Sequence, residues 1–543
     1  FGIQRGDRVA LMAENGTHWP AIDYATLSIG AVLVPIYPTL TPDQAAYVAN
    51  DCDAEVVFVQ GRERYQGMLD ERGSLPRVRQ FVVIDADISD VDTVAFADLL
   101  RDTEPQSEEA FEASARQSKA EDLATFIYTS GTTGNPKGVM LTHGNLTSNL
   151  LSASQAIEIH RAQTGLSFLP LSHSFERVVD YIYFLKGATI AYAESVQAVG
   201  QNLLEVRPHF FVAVPRVYEK VINKVREKVA NAPPLRQKIF AWAEKVGRQA
   251  LPWRLRREWP SGLLGLQLKI ADKLVFAKIR ARLGGRFESA TSGGAPLAQN
   301  IAEFFWAAGI EIYEGYGLSE TSPVLTVNRP GKVKLGSVGA AIEGVELRIA
   351  EDGEILAQGP NVMRGYYNLP EKTAEAIDDE GWFHTGDSGE MDDEGFLKIT
   401  DRKKEIIVNA YGKNIAPAPI ENLLKSSRFI EQVVVIGDRY KFLSALVVPD
   451  FEALLNWAKK SDVPSVDRRE LLASDPTREL FETEIARVNE ELSKHQMIRA
   501  FDLLSEEFSI EGGELTPTQK IKRRIIATKY EHVIDDIYER AEG

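Results

Sequence analysis

From Arg8 to about Gly315, short apolar β-rich runs alternate with amphipathic stretches. The runs at Val56–Val59, Phe81–Ile84, Thr125–Tyr128 and Phe210–Val214 read as buried strands. The stretches Asn145–Ile157, Val217–Val229 and Leu297–Ala308 read as helices. Strands alternating with helices predict layered α/β sheets rather than a bundle or a sandwich. From Gly336 to Ile399 the texture changes to short strands punctuated by Gly344, Gly353, Gly359, Gly365 and Gly395, which predicts a small all-β module resembling a barrel. A charged junction, Asp401-Arg402-Lys403-Lys404-Glu405, then precedes Ile406-Ile407-Val408. Beyond it, strands at Gln432–Ile436 and Ser444–Val448, helices near Thr477–Lys494 and a basic tail predict a separate, smaller α+β domain of about 140 residues. The expected division is 1–402, with a β-rich part at 336–400 and an insertion at 216–286, followed by 403–543. No internal repeat is visible.

The chain has 543 residues, of which 44% are hydrophobic and 26% charged. That composition supports more than one core and excludes long disorder and fibrous repeats. A lone Cys52 leaves no intramolecular disulfide framework and no Cys-based zinc site, and fits a reducing compartment. No stretch approaches the roughly 20 apolar residues of a bilayer span, and no signal-peptide pattern opens the chain, so the expectation is a cytoplasmic protein. The chain begins at Phe1, already within an ordered-looking run, and an N-terminal segment is expected to have been lost.

Charge sharpens the picture. The net charge is −16, which argues against a nucleic-acid binder. Between Arg216 and Arg286, however, 18 Lys and Arg face 5 Asp and Glu, a local +13 in a chain whose remainder carries −29. A cationic island in an acidic protein calls for an anionic partner, such as a membrane surface. The spacing of Val217, Val221, Ile222, Val225 and Val229 gives the island one apolar helical face. This face is either core or, with Arg254, Arg256, Arg257, Lys273 and Arg280, a peripheral lipid-docking surface.

The densest chemistry lies in Tyr128-Thr129-Ser130-Gly131-Thr132-Thr133-Gly134-Asn135-Pro136-Lys137-Gly138, between a predicted strand and a predicted helix. Glycines let backbone N–H groups approach an anion, hydroxyls add donors and Lys137 adds charge, so the loop suits a phosphate. It is not the Walker spacing, because Gly138 follows Lys137.

This loop resembles the phosphate loop of the adenylate-forming superfamily, which includes acyl-CoA synthetases, firefly luciferases and peptide-synthetase adenylation domains. Further segments match in the family's order: Gly315-Tyr316-Gly317-Leu318-Ser319-Glu320-Thr321, Gly336-Ser337-Val338-Gly339, Trp382-Phe383-His384-Thr385-Gly386-Asp387 and Asp401-Arg402-Lys403-Lys404. The run from Gly381 to Asp387, with that from Gly395 to Lys404, is similar to the long-chain fatty acyl-CoA synthetases, whose larger members carry an insertion like 216–286. The resemblance implies a two-step reaction. A fatty carboxylate attacks the α-phosphate of MgATP to give acyl-AMP and pyrophosphate, and the thiol of coenzyme A then displaces AMP.

The resemblance also implies roles. Thr129, Ser130, Gly131, Thr132, Thr133, Gly134 and Lys137 would hold phosphate, with Thr133 and Glu320 at magnesium and Thr321 near the α-phosphate. Tyr316 and Gly317 would line the adenine site, Asp387 would accept the ribose hydroxyls and Arg402 would contact ribose or phosphate. Lys520, after Thr516-Pro517-Thr518-Gln519, matches the C-terminal lysine that contacts the reacting carboxylate and phosphate, although Gln519 replaces the family's usual glycine. Gly293, Gly294 and Ala295 would form the wall between the adenine and acyl pockets. Tyr218 falls where some relatives carry an aromatic gate. His173 is either near the acyl site or a structural histidine, and is not needed as a base because a fatty carboxylate is already ionised. Lys404 matches the family hinge but is equally an ordinary linker charge, and Gly412 matches the segment that admits the pantetheine arm. The implied partners are a long-chain fatty acid, ATP and CoA, with no nucleic acid. A homodimer is compatible with the sequence. The alternative readings are a fatty acyl-AMP ligase that loads a carrier protein and a non-catalytic nucleotide-binding or membrane scaffold.

Overall fold

The computed structural model describes residues 1–85, 88, 92–104, 106–129, 135–403, 405–461, 463, 467–510, 512–516 and 520–542. Two compact units emerge. The first comprises Phe1–Ala350, Leu356–Thr385 and Met391–Lys398; the second comprises Glu351–Ile355, Gly386–Glu390 and Ile399–Gly543. The division therefore falls within strands, and the second unit takes in two short stretches well before Arg402.

The first unit is built on two large sheets. One runs in the order Gly365–Tyr366, Lys137–Thr142, Leu123–Thr129, Val32–Ile36, Arg8–Met12, Ala54–Gln60, Gln80–Ile84, Thr93–Ala95. Its pairings from Leu123–Thr129 to Thr93–Ala95 are parallel. Such strands are covered on both faces, which is why Val32–Ile36 is apolar and buried at every position. The other sheet runs Ala340–Ala341, Val324–Val327, Glu311–Gly317, Ser289–Ser292, Phe210–Ala213, Thr164–Ser167, Thr189–Tyr192. The expected strands appear within a residue or two of their predicted bounds. Val214 is the exception: its extended backbone caps the helix Pro215–Ala230, which proline starts at its first position.

A buried ion pair ties these layers together. Arg177, on the helix Ser174–Lys186, donates to Asp23 of the helix His18–Ser28 through Nη2 at 2.5 Å and Nε at 3.0 Å. Its Nη1 donates to Thr125 Oγ1 at 2.8 Å, and that hydroxyl donates to the Leu33 carbonyl at 2.6 Å. The same helix buries Val178, Val179 and Ile182 against Phe210 and Val212 of the second sheet. One guanidinium thus joins the first sheet, a helix packed on its central strands and the helix that covers the second sheet.

The segment after Gly336 is not all strand. The helix Pro370–Ala376 interrupts it, again with proline at the start, and Gly365–Tyr366 leaves it to pair antiparallel with Val139 and Met140 of the first sheet. The remaining strands form a four-stranded sheet in the order Glu346–Ile349, Glu354–Gln358, Phe383–Met391, Leu397–Arg402. The second unit holds the hairpin Ile407–Val408 and Asn414–Ile415, and a sheet in the order Ile430–Ile436, Leu443–Pro449, Ile498–Leu503 covered by helices. It is α+β, as its pattern of strands followed by helices implies. Among the described residues no helix is long and apolar enough to cross a membrane.

Arg177→Met should lower unfolding stability by about 3–5 kcal/mol, because it strands the buried Asp23 carboxylate. Adding Asp23→Leu should recover most of the loss. Denaturant unfolding checks both, and an Arg177→Met protein within about 0.5 kcal/mol of wild type would show that this pair does not hold the layers together.

Candidate active site

Thr129 and Lys137 are register partners at the base of the loop that carries the phosphate-binding signature. Ser130, Gly131, Thr132, Thr133 and Gly134 lie outside the described residues. Lys137 Nζ sits over the ring of Tyr366, 4.8 Å from its centroid, because the strand Gly365–Tyr366 is laid beside the lysine's own strand. The Tyr366 hydroxyl donates to Glu320 Oε1 at 3.0 Å. Burial and the neighbouring carboxylate push that hydroxyl's pKa well up, so it remains a donor. A cation, an aromatic ring and a carboxylate are thereby aligned beside the base of the loop.

The turn that presents Glu320 is held from two directions. Asn149 Nδ2 donates to the Val324 carbonyl at 2.7 Å and Asn361 Nδ2 donates to the Thr321 carbonyl at 2.8 Å. The Met363 N–H donates to the Glu320 carbonyl at 2.8 Å. Asn361 reaches this position because Asn145, which caps the helix His143–Ala156 reciprocally with Thr142, donates to the Pro360 and Val362 carbonyls at 2.8 Å each. Thr321 itself is fully buried; its hydroxyl donates to the Pro323 carbonyl at 2.6 Å and shapes the turn. Gly317 is required by contact, since a Cβ there would stand 1.8 Å from the Pro323 carbonyl oxygen. Tyr316 is buried in the strand Glu311–Gly317, opposite Thr326.

His173 caps the helix Ser174–Lys186, its Nδ1 accepting from the Phe175 N–H at 3.1 Å, which is a structural task. Phe175 in turn lies against Gly293, where an added Cβ would meet the ring at 3.0 Å. Gly294 and Ala295 are exposed just beyond the strand Ser289–Ser292. Tyr218 is buried and donates to the Thr291 carbonyl at 3.0 Å, with its ring against Phe211 and Phe305. Tyr218 and Gly293 are thus linked through one strand.

Glu314 was not apparent from the sequence. It is the register partner of Ser292, and its carboxylate is buried with Oε1 lacking a hydrogen-bond partner. Burial pushes its pKa up to about 8, a backbone N–H from Leu297 opposing the shift. Neither Tyr366 nor Glu314 belongs to a recognisable short pattern; a carboxylate directly after Ile312-Tyr313 within a strand was the only available signal.

In the second unit, Arg402 Nε lies 3.2 Å from Asp387 Oδ1. Lys403 is anchored beside them, its Nζ 2.5 Å from Asp352 and 2.9 Å from Glu354, while its N–H donates to the Gly386 carbonyl at 3.0 Å. Lys404 lies outside the described residues. Asp401 is buried, which raises its pKa to about 6. Gly412 is in the turn between Ile407–Val408 and Asn414–Ile415, and its φ of +72° favours glycine although a Cβ there would meet nothing within 4 Å. The neighbouring Tyr411 is exposed. The N–H of Lys520 donates to Thr516 Oγ1 at 3.0 Å and its carbonyl accepts from the Thr516 N–H at 2.8 Å, placing it on the return arm of a hairpin.

Residues 1–367 match the family described as AMP-binding enzyme, and residues 404–542 match the AMP-binding enzyme C-terminal domain. The chain belongs to the AMP-binding enzyme family. This AMP-binding enzyme is 38% identical to long-chain-fatty-acid–CoA ligase FadD15 of Mycobacterium bovis, over 99% of its own length and 89% of the relative's. It is 33% identical to long-chain-fatty-acid–CoA ligase ACSBG1 of Homo sapiens, over 99% and 79%. Its fold is shared with the adenylation domain of a carboxylate reductase from Mycobacterium chelonae (TM-score 0.76, 23% identity, 99% and 81% covered). It is shared too with the anthranilate CoA ligase AuaEII in complex with anthranoyl-AMP (TM-score 0.74, 20% identity, 98% and 89% covered).

The raised Glu314 pKa has a testable sign. The folded enzyme holds this proton up to about pH 8, whereas the unfolded chain releases it near the ordinary value of 4.5. Its contribution is therefore fully present below that lower value and is lost as pH rises through about 8. Glu314→Gln should gain at least about 1 kcal/mol on wild type between about pH 5 and about pH 9 in chemical unfolding. Parallel pH profiles would show that the carboxylate is ionised in the folded enzyme.

Proposed function

We propose that this AMP-binding enzyme is a long-chain-fatty-acid–CoA ligase. It converts a fatty acid and ATP to acyl-AMP and pyrophosphate, then forms the CoA thioester and releases AMP. The observation that carries the reading is the Lys137–Tyr366–Glu320 alignment at the base of the loop, together with relatives of that named activity over the whole chain.

The chemistry follows from charge. A carboxylate is a poor acyl donor to a thiol, and AMP is a good leaving group. In the first step an anion approaches an already anionic phosphorus centre, so positioned cations and N–H donors account for most of the rate. Lys137 supplies a fixed charge whose direction is held by the Tyr366 ring. Lys520 is assigned to the reacting carboxylate and phosphate, and Thr129 with residues 130–134 to the phosphates. Tyr316, Gly317, Gly294 and Ala295 are assigned to the adenine side, and Asp387 and Arg402, already adjacent, to the ribose. His173, Gly293 and Tyr218 are assigned to the acyl side.

A divalent cation fits at Glu320. One carboxylate on a restrained turn, with phosphate oxygens completing the shell, is the donor set Mg²⁺ prefers. When bound, Mg²⁺ would neutralise charge on the phosphates; Glu320 would hold it, with Thr133 assigned as a second oxygen donor. Tyr366 then orients the carboxylate.

Two further assignments concern the second step. Lys404 is the hinge, following a segment anchored as far as Lys403. The exposed turn at Gly412 is the part presented to the pantetheine arm of CoA. A fatty acid partitions into membranes, so a cytoplasmic enzyme in peripheral contact with an anionic bilayer belongs to the same reading.

Lys520→Ala should slow fatty-acid-dependent ATP–pyrophosphate exchange about 10²–10³-fold. Wild-type enzyme supplied with palmitate and ATP should release AMP only once CoA is added. Near-wild-type exchange by the variant removes the assignment of Lys520, and acyl-AMP that CoA fails to consume replaces the ligase reading with transfer to a carrier protein.

A further inference from the structure

The cationic insertion resolves into two parts. The valine-rich helix Pro215–Ala230 is core: Tyr218 and Ile222 are buried, and Val217, Val221 and Val225 pack on the same cluster. Several of its expected lipid-facing arginines are engaged internally. Arg280 lies 2.7 Å from Asp272, Arg257 lies 2.6 Å from Glu158 and 2.8 Å from Glu311, and Arg254 stacks on Trp259 at 5.3 Å.

What remains outward is the segment 262–281, which runs as the helix Gly262–Ala271, one wider turn at Asp272–Phe276 and the helix Ala277–Ala281. Its inner face is Gly265, Leu268, Ala271, Phe276 and Ile279, all buried. Its outer face carries Leu263, 71% exposed, Leu266, 58%, Ile270, 45%, and Leu274, 42%, at helical spacing, with Trp259, 52% exposed, just before it. Lys269, Lys273 and Lys278 are exposed among them. The one acid between residues 262 and 282 is Asp272, and Arg280 holds it. The outward surface is therefore apolar and cationic with no outward carboxylate, on a protein of net charge −16.

We propose that the outer face of 262–281, with Trp259, docks this enzyme on an anionic bilayer, its leucines entering the acyl boundary and its lysines reaching the headgroups. The charge argues for this occupant: the lysines flank the leucines, so their stems lie along the apolar stripe while their ammonium groups extend to phosphate. Two copies meeting through this face would oppose lysine to lysine. A tryptophan at one end suits the same boundary. The inference rests on the reading of a membrane-partitioned fatty acid as substrate.

Co-sedimentation with vesicles of phosphatidylcholine plus phosphatidylglycerol tests it. Wild-type enzyme should pellet at low salt, less at high salt, and weakly with phosphatidylcholine alone. Lys269→Gln with Lys273→Gln should lower the partition coefficient about fivefold per charge, and Leu263→Ser with Leu266→Ser at least about tenfold. Leu100→Ser, at an exposed leucine elsewhere, should leave it unchanged. All these variants should keep wild-type ATP–pyrophosphate exchange with detergent-dispersed fatty acid. No pelleting by wild type, or equal pelleting by all variants, overturns the proposal. So does a wild-type dimer in analytical ultracentrifugation that the leucine variant converts to monomer without lipid, since the face would then bind a second copy. Vesicle binding that follows these variants in an enzyme devoid of exchange supports the docking and overturns only the ligase reading.

Discussion

The ion pair between Arg177 and Asp23 is the constraint on which the first unit depends. A guanidinium buried this deeply is tolerable only when its nitrogens find partners, and one helix and one strand supply them. The consequence is geometric. Thr125, held by Arg177, lies on the strand that ends at Thr129, where the glycine- and hydroxyl-rich segment of the sequence begins. The helix bearing Arg177 is capped by His173, and its Phe175 lies against Gly293, just past the end of a central strand of the second sheet. One buried charge thus fixes the spacing between the strand end at Thr129 and Gly293, just past the strand Ser289–Ser292.

Around that frame, the turn that carries Glu320 is placed by amides rather than by charges. Asn145, Asn149 and Asn361 hold the Glu320 turn through backbone carbonyls, leaving the carboxylate oriented by a single phenol. Glu314 is kept neutral in another way: burial holds it protonated through the neutral range, so it adds no anion beside Ser292.

The cationic insertion shows how little a charge count says about exposure. Some of its arginine is engaged internally, Arg280 with Asp272 inside the insertion and Arg257 with Glu158 and with Glu311 of the second sheet. Its lysines, with flexible stems and compact heads, remain on the outside beside leucines. Fold and surface chemistry are thereby separated within one segment.

Much of this enzyme was legible along the chain. Apolar runs marked the buried strands, helical spacing marked the helices, and contiguous segments such as 128–138 and 315–321 carried the family resemblance, because burial and loop chemistry are local properties of neighbouring residues. The glycine-punctuated stretch after Gly336 was read as short strands of a small all-β module, and only the structure showed the helix Pro370–Ala376 within it and the pairing of Gly365–Tyr366 with a distant strand. That pairing also brought Tyr366 to Lys137 and Glu320, and strand order alone placed Glu314 beside Ser292. Which valine face became core and which leucine face stayed in water was likewise settled by packing. An amphipathic period states that a helix has two faces; only its neighbours in space determine which of them is covered.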